Sequence, residues 1–381
     1  MAHDRPAGSG SRRDAVPVSP ALANDLPQDG LPLASGDNHG RMLWLSLLAV
    51  VIGLLAGPVA KTLLVLIDFF TQLFFYGRFS FEPATPVGHA LGAWVILVPV
   101  AGGLIIGLMA RWGAQAIRGH GIPEAMEQVL MNQSRIPARI TFWKPLSSAV
   151  SIGTGGPFGA EGPIIATGGA LGSLLGQLLR VTAMERKTLL AAGAAAGMAA
   201  VFSAPVSAVL LAVELLLFEF RGRSMIPVAL AAATATGIRY ILLGTEAVFP
   251  MATVAPAALQ ALTGYALLGA LIGVLSVAVT RILYWIEDGF ERLPVHWMWW
   301  PALGGLAVGL AGYVEPATLG VGYELIQAIL NVELGITALA FLCLMKFLSW
   351  SVALGSGTSG GTLAPLFIIG GALGGCAGLL L

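Results

Sequence analysis

The sequence predicts an all-α membrane protein that crosses the bilayer several times and consists of two related halves. The chain has 381 residues, of which 56% are apolar and only 10% are charged. Soluble domains carry about 25% charged residues, so this composition excludes an ordinary soluble protein. The chain also contains 50 glycines, and small residues allow membrane helices to pack closely. The third observation is a long glycine-rich stretch that occurs twice.

The repeated stretch begins at Lys144 and again at Lys346, 202 residues later. Within it, residues 168–172 recur letter for letter at 370–374. Two tandem halves that each carry an apolar segment broken by glycine are typical of transporters and channels built from membrane repeats. The repeat therefore predicts both the architecture and a broad functional class.

One of the differences between the two copies of the repeat bears on function. Glu161 in the first copy is matched by Leu363 in the second. Since leucine is accommodated at this place, packing alone does not require the carboxylate. An acid inside a membrane segment is costly and usually has a function. We therefore take Glu161 as a candidate functional residue.

The borders of the two halves follow from composition. Residues 1–41 are polar, with scattered Pro, Asp and Arg, which predicts a disordered tail. The first apolar run begins only at residue 42 and is too long for the core of a signal peptide. We place the first transmembrane half at 42–223 and the second at 224–381. The chain stops inside the apolar segment after Pro365, so we expect a truncated second half.

Long apolar runs predict the membrane helices, because about 20 helical residues cross a hydrocarbon layer of about 30 Å. A proline within the sequence Ser203-Ala204-Pro205 divides one of these runs into two helices. Trp297, Trp299 and Trp300 predict an aromatic belt at the membrane interface. The runs lie at about 42–76, 88–110 and 189–218 in the first half, and at about 226–243, 259–286, 297–313 and 336–354 in the second.

Three glycine turns are candidates for an anion site: 119–123, 159–163 and 361–365. Each exposes backbone N–H groups and then begins a helix at or near a proline. Transfer of a bare ion into the bilayer costs on the order of tens of kcal/mol. One helix N-terminus returns at most about 2 kcal/mol, so several must converge. The candidate anion-binding residues are Gly119, His120, Gly121, Ile122, Gly159, Ala160, Gly162, Gly361, Thr362, Leu363 and Ala364.

Glu161 acquires a specific role if these turns meet. It stands at a predicted helix start, between Gly159 and Gly162, where the chain is free to move. Its carboxylate can then occupy the place of the anion, and protonation would release it. The alternative is a buried glutamate that is paired with Lys144 or with a nearby arginine.

The ordered motifs resemble those of CLC chloride channels and chloride/proton antiporters. Gly119-His120-Gly121-Ile122-Pro123 resembles the GSGIP motif of that family, residues 159–163 resemble GREGP, and residues 361–365 resemble GxFxP. The segment from Ser203 to Glu214 resembles the family's Asn-Ala-Pro segment that leads to an acidic pair. The likeness covers residues 42–381 in unbroken order.

This resemblance implies two inverted-topology repeats of broken, tilted helices and a homodimer with one pathway in each subunit. It also implies that Glu161 is the external gating glutamate and that Glu214 belongs to the proton-handling pair. The expected transported ion is chloride or a similar small anion, with protons as the second ion in the case of exchange. The expected location is a bilayer, as an integral multi-pass protein of a bacterial inner membrane.

Four departures from the family pattern modify these expectations. His120 replaces the serine that helps to hold the central anion, so backbone N–H groups or an imidazole N–H must take over there. Ala160 replaces the usual basic residue. Leu215 stands where antiporters have their internal proton-accepting glutamate, which favours passive anion conduction over exchange. We also expect this chain to lack the family's last helices, which carry the inner-gate tyrosine.

Other functional classes fit less well. Gly357-Thr358-Ser359-Gly360 matches the GxSG of rhomboid-like serine proteases, but no histidine follows Ser359 to act as its base. Residues 355–360 match a dinucleotide-binding GxGxxG without the βαβ context that this motif needs. Cys343 and Cys376 lie in apolar runs and indicate no disulfide or metal site. We expect no enzyme activity, no cofactor and no nucleic-acid partner. A structural or regulatory remnant without transport is the third reading.

Overall fold

The computed structural model describes residues 39–179, 181–251 and 259–380. Residues 1–38 of the tail predicted for 1–41 lie outside the described residues. Within the described residues the chain is helical, and its β structure is a single bridge between Gly159 and Gly361. The predicted all-α class is confirmed.

Thirteen α-helices follow one another in the described part of the chain. Those before residue 251 are α1 (His39–Tyr76), α2 (Leu97–Trp112), α3 (Ile122–Met131), α4 (Ile140–Gly153), α5 (Glu161–Leu178), α6 (Ala183–Phe202), α7 (Pro205–Ala212) and α8 (Gly222–Leu243). Those after it are α9 (Leu259–Glu291), α10 (Trp300–Val314), α11 (Tyr323–Leu330), α12 (Ile336–Gly355) and α13 (Leu363–Leu380). The predicted border between 223 and 224 falls in the first turn of α8 and stays a prediction.

Six helical segments of the described part are long and apolar enough to cross a bilayer. They are Gly40–Tyr76, Gly92–Trp112, Gly222–Leu243, Ala261–Glu291, Ile336–Gly355 and Leu363–Leu380. The second segment joins a short 3-10 turn to α2. The chain is therefore an integral, multi-pass membrane protein, as predicted.

Glycines bring helices α5 and α6 into close contact. A Cβ atom at Gly168 would strike the carbonyl oxygen of Gly193, and a Cβ atom at Gly193 would strike the carbonyl oxygen of Gly168. One turn further along, Gly172 faces the backbone of Leu189 in the same way. Residues four apart lie on one face of a helix, so these glycines form a smooth surface for packing.

Helices α2 and α10 also pack on each other, and their contacts are reciprocal. Gly103 of α2 lies against the backbone of Pro301, and Gly305 of α10 lies against the backbone of Pro99. Each pair of equivalent residues is separated by 202 positions, which is the spacing of the sequence repeat. Reciprocal contacts are the mark of a two-fold relation. The repeat therefore begins at least 45 residues before Lys144, since 144 − 99 = 45.

The same relation links these helices to the turns that follow α4 and α12. Gly102 lies against the side chain of Thr154, and Gly304 lies against the side chain of Ser356. Again the equivalent residues are 202 positions apart. The two-fold relation thus carries from the α2–α10 contact to the glycine turns at the centre of the molecule.

Candidate functional site

Two buried lysines hold equivalent turns in the two halves. The Nζ of Lys144 donates hydrogen bonds to the carbonyl oxygens of Ile117 at 2.8 Å and Gly119 at 2.9 Å. The Nζ of Lys346 donates to the carbonyl oxygens of Thr318 at 2.9 Å and Gly320 at 3.0 Å. Each lysine fixes the chain just before a short helix, α3 or α11.

The three glycine turns lie together. The N–H of Gly159 donates to the carbonyl of Gly361 at 3.0 Å, and the N–H of Gly361 donates back at 2.9 Å. A Cβ atom at Gly162 would lie 2.8 Å from the Cα atom of Gly361. A Cβ atom at Gly121 would lie 2.8 Å from the carbonyl carbon of Gly162. We call this meeting point of the starts of α3, α5 and α13 the junction.

Some backbone donors at the junction are already used. Gly121, at φ +100°, donates its N–H to Glu124 Oε2 at 2.6 Å, which caps α3. Gly159 and Gly361 bond to each other. The first N–H groups of a helix have no acceptor within it. The donors that remain for an anion are therefore best sought at the first residues of α5 and α13, which are Glu161, Gly162, Leu363 and Ala364.

Glu161 is fully buried at the first position of α5. Neither of its carboxylate oxygens has a hydrogen-bond partner in the described part of the chain. A Cβ atom at Gly159 would overlap the carboxylate, and one at Gly361 would lie 2.9 Å from Glu161 Oε2. The two glycines thus leave the space that the carboxylate fills. The side chain points into the junction and not towards lipid.

No ion pair among the described residues explains the burial of Glu161. The described residues form two salt bridges, Arg41 with Glu185 and Arg221 with Glu219. Lys144, the other partner considered from the sequence, is bonded to backbone carbonyls. The groups that act on the carboxylate are its own N–H, the N–H of Ala364 and the Tyr323 hydroxyl.

His120 borders the junction from the α3 side. Its carbonyl oxygen lies against Gly162, and its imidazole Nδ1 is buried without a hydrogen-bond partner among the described residues. The exposure of the other candidates differs. Ala160, Gly162, Gly361 and Ala364 are buried, whereas Gly119, Ile122, Thr362 and Leu363 are partly exposed.

Ser359, the serine of the GxSG match, lies in a cluster of hydroxyl groups. Its Oγ lies 2.9 Å from the Oγ of Ser148 and accepts a hydrogen bond from the Oγ of Ser147 at 3.3 Å. All three serines are buried. The cluster joins α4 to the turn before α13, so it connects the two halves beside the junction.

Arg118 is a charged neighbour of the junction that sequence reasoning missed. Its guanidinium lies over the rings of Trp297 at 5.1 Å and Trp300 at 5.4 Å from the ring centroids. Gly357, at φ +75°, leaves room for it, because a Cβ atom there would lie 2.6 Å from Arg118 Nη2. The position before Gly119 was the signal, since it places a positive charge at the edge of a candidate turn.

Comparison with known proteins identifies the family. Residues 102–381 match the family model described as voltage gated chloride channel. The chain belongs to this CLC family.

Two relatives and one solved structure illustrate the likeness. Chloride channel protein CLC-f of Arabidopsis thaliana is 30% identical over 301 residues, which cover 74% of this chain and 37% of that protein. The H(+)/Cl(-) exchange transporter ClcA of Vibrio vulnificus is 30% identical over 363 residues, covering 91% of this chain and 74% of that protein. A slow cyanobacterial Cl−/H+ antiporter superposes with a TM-score of 0.71 at 25% identity, covering 85% of this chain and 76% of that one.

In this CLC chain Glu214 does not join the junction. It lies exposed in the π-turn Val213–Leu217 that ends α7, and no described contact links it to Glu161. Leu215 packs against the hydrophobic core from the same turn. A role of Glu214 in proton handling stays a prediction.

Proposed function

We propose that this CLC chain moves chloride or a similar small anion across a membrane through the junction, with Glu161 as the gate. The observation that carries the proposal is a fully buried carboxylate whose oxygens have no hydrogen-bond partner among the described residues, placed where three helix starts meet. The family membership supports it. So do the names of the relatives, which describe a chloride channel and an H(+)/Cl(-) exchanger.

The physical basis is competition between the Glu161 carboxylate and the transported anion for one binding site. Backbone N–H groups at helix starts stabilise negative charge without a fixed positive charge, so an anion is bound firmly enough to enter and weakly enough to leave. A carboxylate among these groups takes the place of the anion. When it accepts a proton it loses the charge that the N–H groups stabilise. The place then becomes free for the transported ion.

The choice between exchange and passive conduction depends on protons. Leu215 led to the expectation of passive conduction. The ClcA relative and the cyanobacterial structure are both described as proton-coupled, which favours exchange of chloride for protons in this chain. We therefore propose exchange as the main activity. Passive conduction is the second candidate, because no other acid acts on the Glu161 carboxylate in the described structure.

The test is chloride efflux from vesicles that contain the full chain, recorded together with the pH of the lumen. Exchange predicts that chloride efflux drives protons into the lumen, and that Glu161→Gln abolishes proton movement while chloride efflux continues. Passive conduction predicts efflux without any proton movement. Glu324→Gln, an exposed acid on α11, is the matched control. Vesicles without chloride efflux above the protein-free background would contradict both.

Three further expectations stay proposals. We propose a homodimer, as the resemblance to CLC proteins implies, and its mass in detergent measured by light scattering is the test. We propose that the chain is not an enzyme, because the Ser359 hydroxyl contacts two other serine hydroxyls and no histidine follows it in sequence. We also propose that transport needs no cofactor.

A further inference from the structure

The second half contains a fourth glycine turn that the sequence motifs did not reveal. Gly320-Val321-Gly322 precedes α11, just as Gly119-His120-Gly121 precedes α3. The flanking glycines have left-handed φ angles in both turns, +68° and +78° in one and +96° and +100° in the other. Lys346 holds the fourth turn as Lys144 holds the first. The first residue of α11, Tyr323, therefore stands where α3 has Ile122.

The Tyr323 hydroxyl reaches the junction. It is buried and has no hydrogen-bond partner among the described residues. The groups that act on it are the Glu161 carboxylate and the backbone N–H of Ala160. Its ring is packed edge-on against Phe249, with centroids 5.9 Å apart. An unpaired hydroxyl thus lies beside an unpaired carboxylate, and the two belong to opposite halves of the protein.

Such a pair is unstable unless it bonds. A buried polar group without a partner loses its hydrogen bonds to water and gains nothing in return. The phenol O–H is the donor that this pair offers to a carboxylate oxygen. A hydrogen bond to an ionised acceptor is also stronger than one between neutral groups.

We propose that the Tyr323 hydroxyl is the positioning donor that holds the charged form of Glu161 in the place of the anion. The gate is then assembled from both halves, with the acid from the first and the donor from the second. This inference rests on the proposed function. It adds a residue that stabilises the closed state of the gate. In the open state the Tyr323 hydroxyl no longer bonds to the Glu161 carboxylate.

The two lysines and the second acid at the junction are bonded to backbone groups. Lys144 and Lys346 donate to backbone carbonyls, and Glu124 accepts from Gly121. His120 keeps its Nδ1 unpaired on the α3 side. The hydroxyl of Tyr323 is thus the side-chain donor that acts on the Glu161 carboxylate in the described structure.

The decisive variant is Tyr323→Phe, which removes the hydroxyl and keeps the ring. The pH profile of chloride flux is measured in vesicles that contain the full chain. Loss of the donor destabilises the charged carboxylate, so the gate opens at higher pH. The midpoint is expected to rise by about one pH unit, the size of one hydrogen bond to a charged group. Tyr313→Phe, on an exposed tyrosine at the end of α10, is expected to leave the midpoint unchanged.

The same substitution in a Glu161→Gln protein tests whether the effect of Tyr323 acts through Glu161. In Glu161→Gln vesicles the Tyr323→Phe change is expected to have no effect on the pH profile, because the acid that it positions is gone. A Tyr323→Phe profile that overlays the wild type would overturn the inference. A purely structural role would move the flux and melting temperature of both backgrounds alike. A wild type without chloride flux would instead contradict the proposed function.

A chemical variant serves if Tyr323→Phe does not fold. Replacement of Tyr323 by 3-fluorotyrosine keeps the ring and the hydroxyl but makes the phenol a stronger donor. The pH midpoint is then expected to fall, opposite in sign to the phenylalanine change. An unchanged midpoint would overturn the inference.

Discussion

The two copies of the repeat agree in their backbone and differ in their chemistry. Gly159 and Gly361 are equivalent residues that bond to each other across the pseudo-two-fold axis. Two residues later, at the start of each helix, Glu161 faces the junction in the first half and Leu363 takes its place in the second. The comparison teaches that glycines maintain the architecture, whereas function depends on positions where the copies have diverged.

The two lysine-held turns show the same division. Both have glycines with left-handed φ angles and a buried lysine that binds two carbonyl oxygens. Between those glycines the first turn carries His120 and the second carries Val321. At the following helix start the first has Ile122 and the second has Tyr323. The polar groups that reach the junction therefore come unequally from the two halves.

The largest effect is expected where the halves are alike. Lys144→Met and Lys346→Met each leave two buried carbonyl oxygens without their donor. We expect each variant to lower the free energy of unfolding by about 3 kcal/mol, the sum of two hydrogen bonds to a charged group. Thermal unfolding in detergent measures this, with Lys187→Met on α6 as the control. A large difference between the free energies of unfolding of the two variants would contradict the equivalence of the two turns.

A smaller and more local effect is expected from Gly361→Ala. The added methyl group would lie 2.6 Å from the Gly159 carbonyl oxygen and 2.7 Å from the Gly162 nitrogen, so the junction must open. Overpacking costs about 1–3 kcal/mol, and we expect chloride flux to fall by about tenfold or more. Gly374→Ala on the same helix meets no neighbouring atom and is the matched control. Equal flux in the two variants would contradict the account of the junction.

The divergent residue His120 is expected to give a moderate effect. If its imidazole N–H donates to the anion, His120→Val makes the first turn resemble the second and removes one donor. We expect the apparent anion affinity to fall by about tenfold, the equivalent of one hydrogen bond. His120→Asn keeps a side-chain donor and is expected to retain most of the affinity. Equal affinities of the two variants would show that backbone groups alone hold the anion.

Much of the fold could be predicted because its signals are local. Apolar runs of membrane length, glycines at regular spacing and prolines at helix starts each act within a few residues. The turns around Gly121, Gly162 and Gly361 were found in this way. Their meeting in space was expected from charge arguments alone, since an anion in the bilayer needs several helix starts.

The rest of the site lacked such signals. The turn before α11 has Glu324 where α3 has a proline, so its helix start was not recognised. The role of Tyr323 depends on a contact between residues 162 positions apart, since 323 − 161 = 162. No spacing rule reaches that far. Glu214 was identified from a motif, and the fold leaves it exposed in a π-turn, so its role in proton handling stays a prediction.

The central claim is that the Glu161 carboxylate competes with the transported anion for one place at the junction. The most direct test is the pH dependence of chloride flux through vesicles containing the full chain, with wild type and Glu161→Gln compared. In the wild type, flux should rise as the pH falls, because protonation removes the competing charge. In the variant, flux should persist and become independent of pH. A variant whose flux still rises with acid as in the wild type would contradict the account.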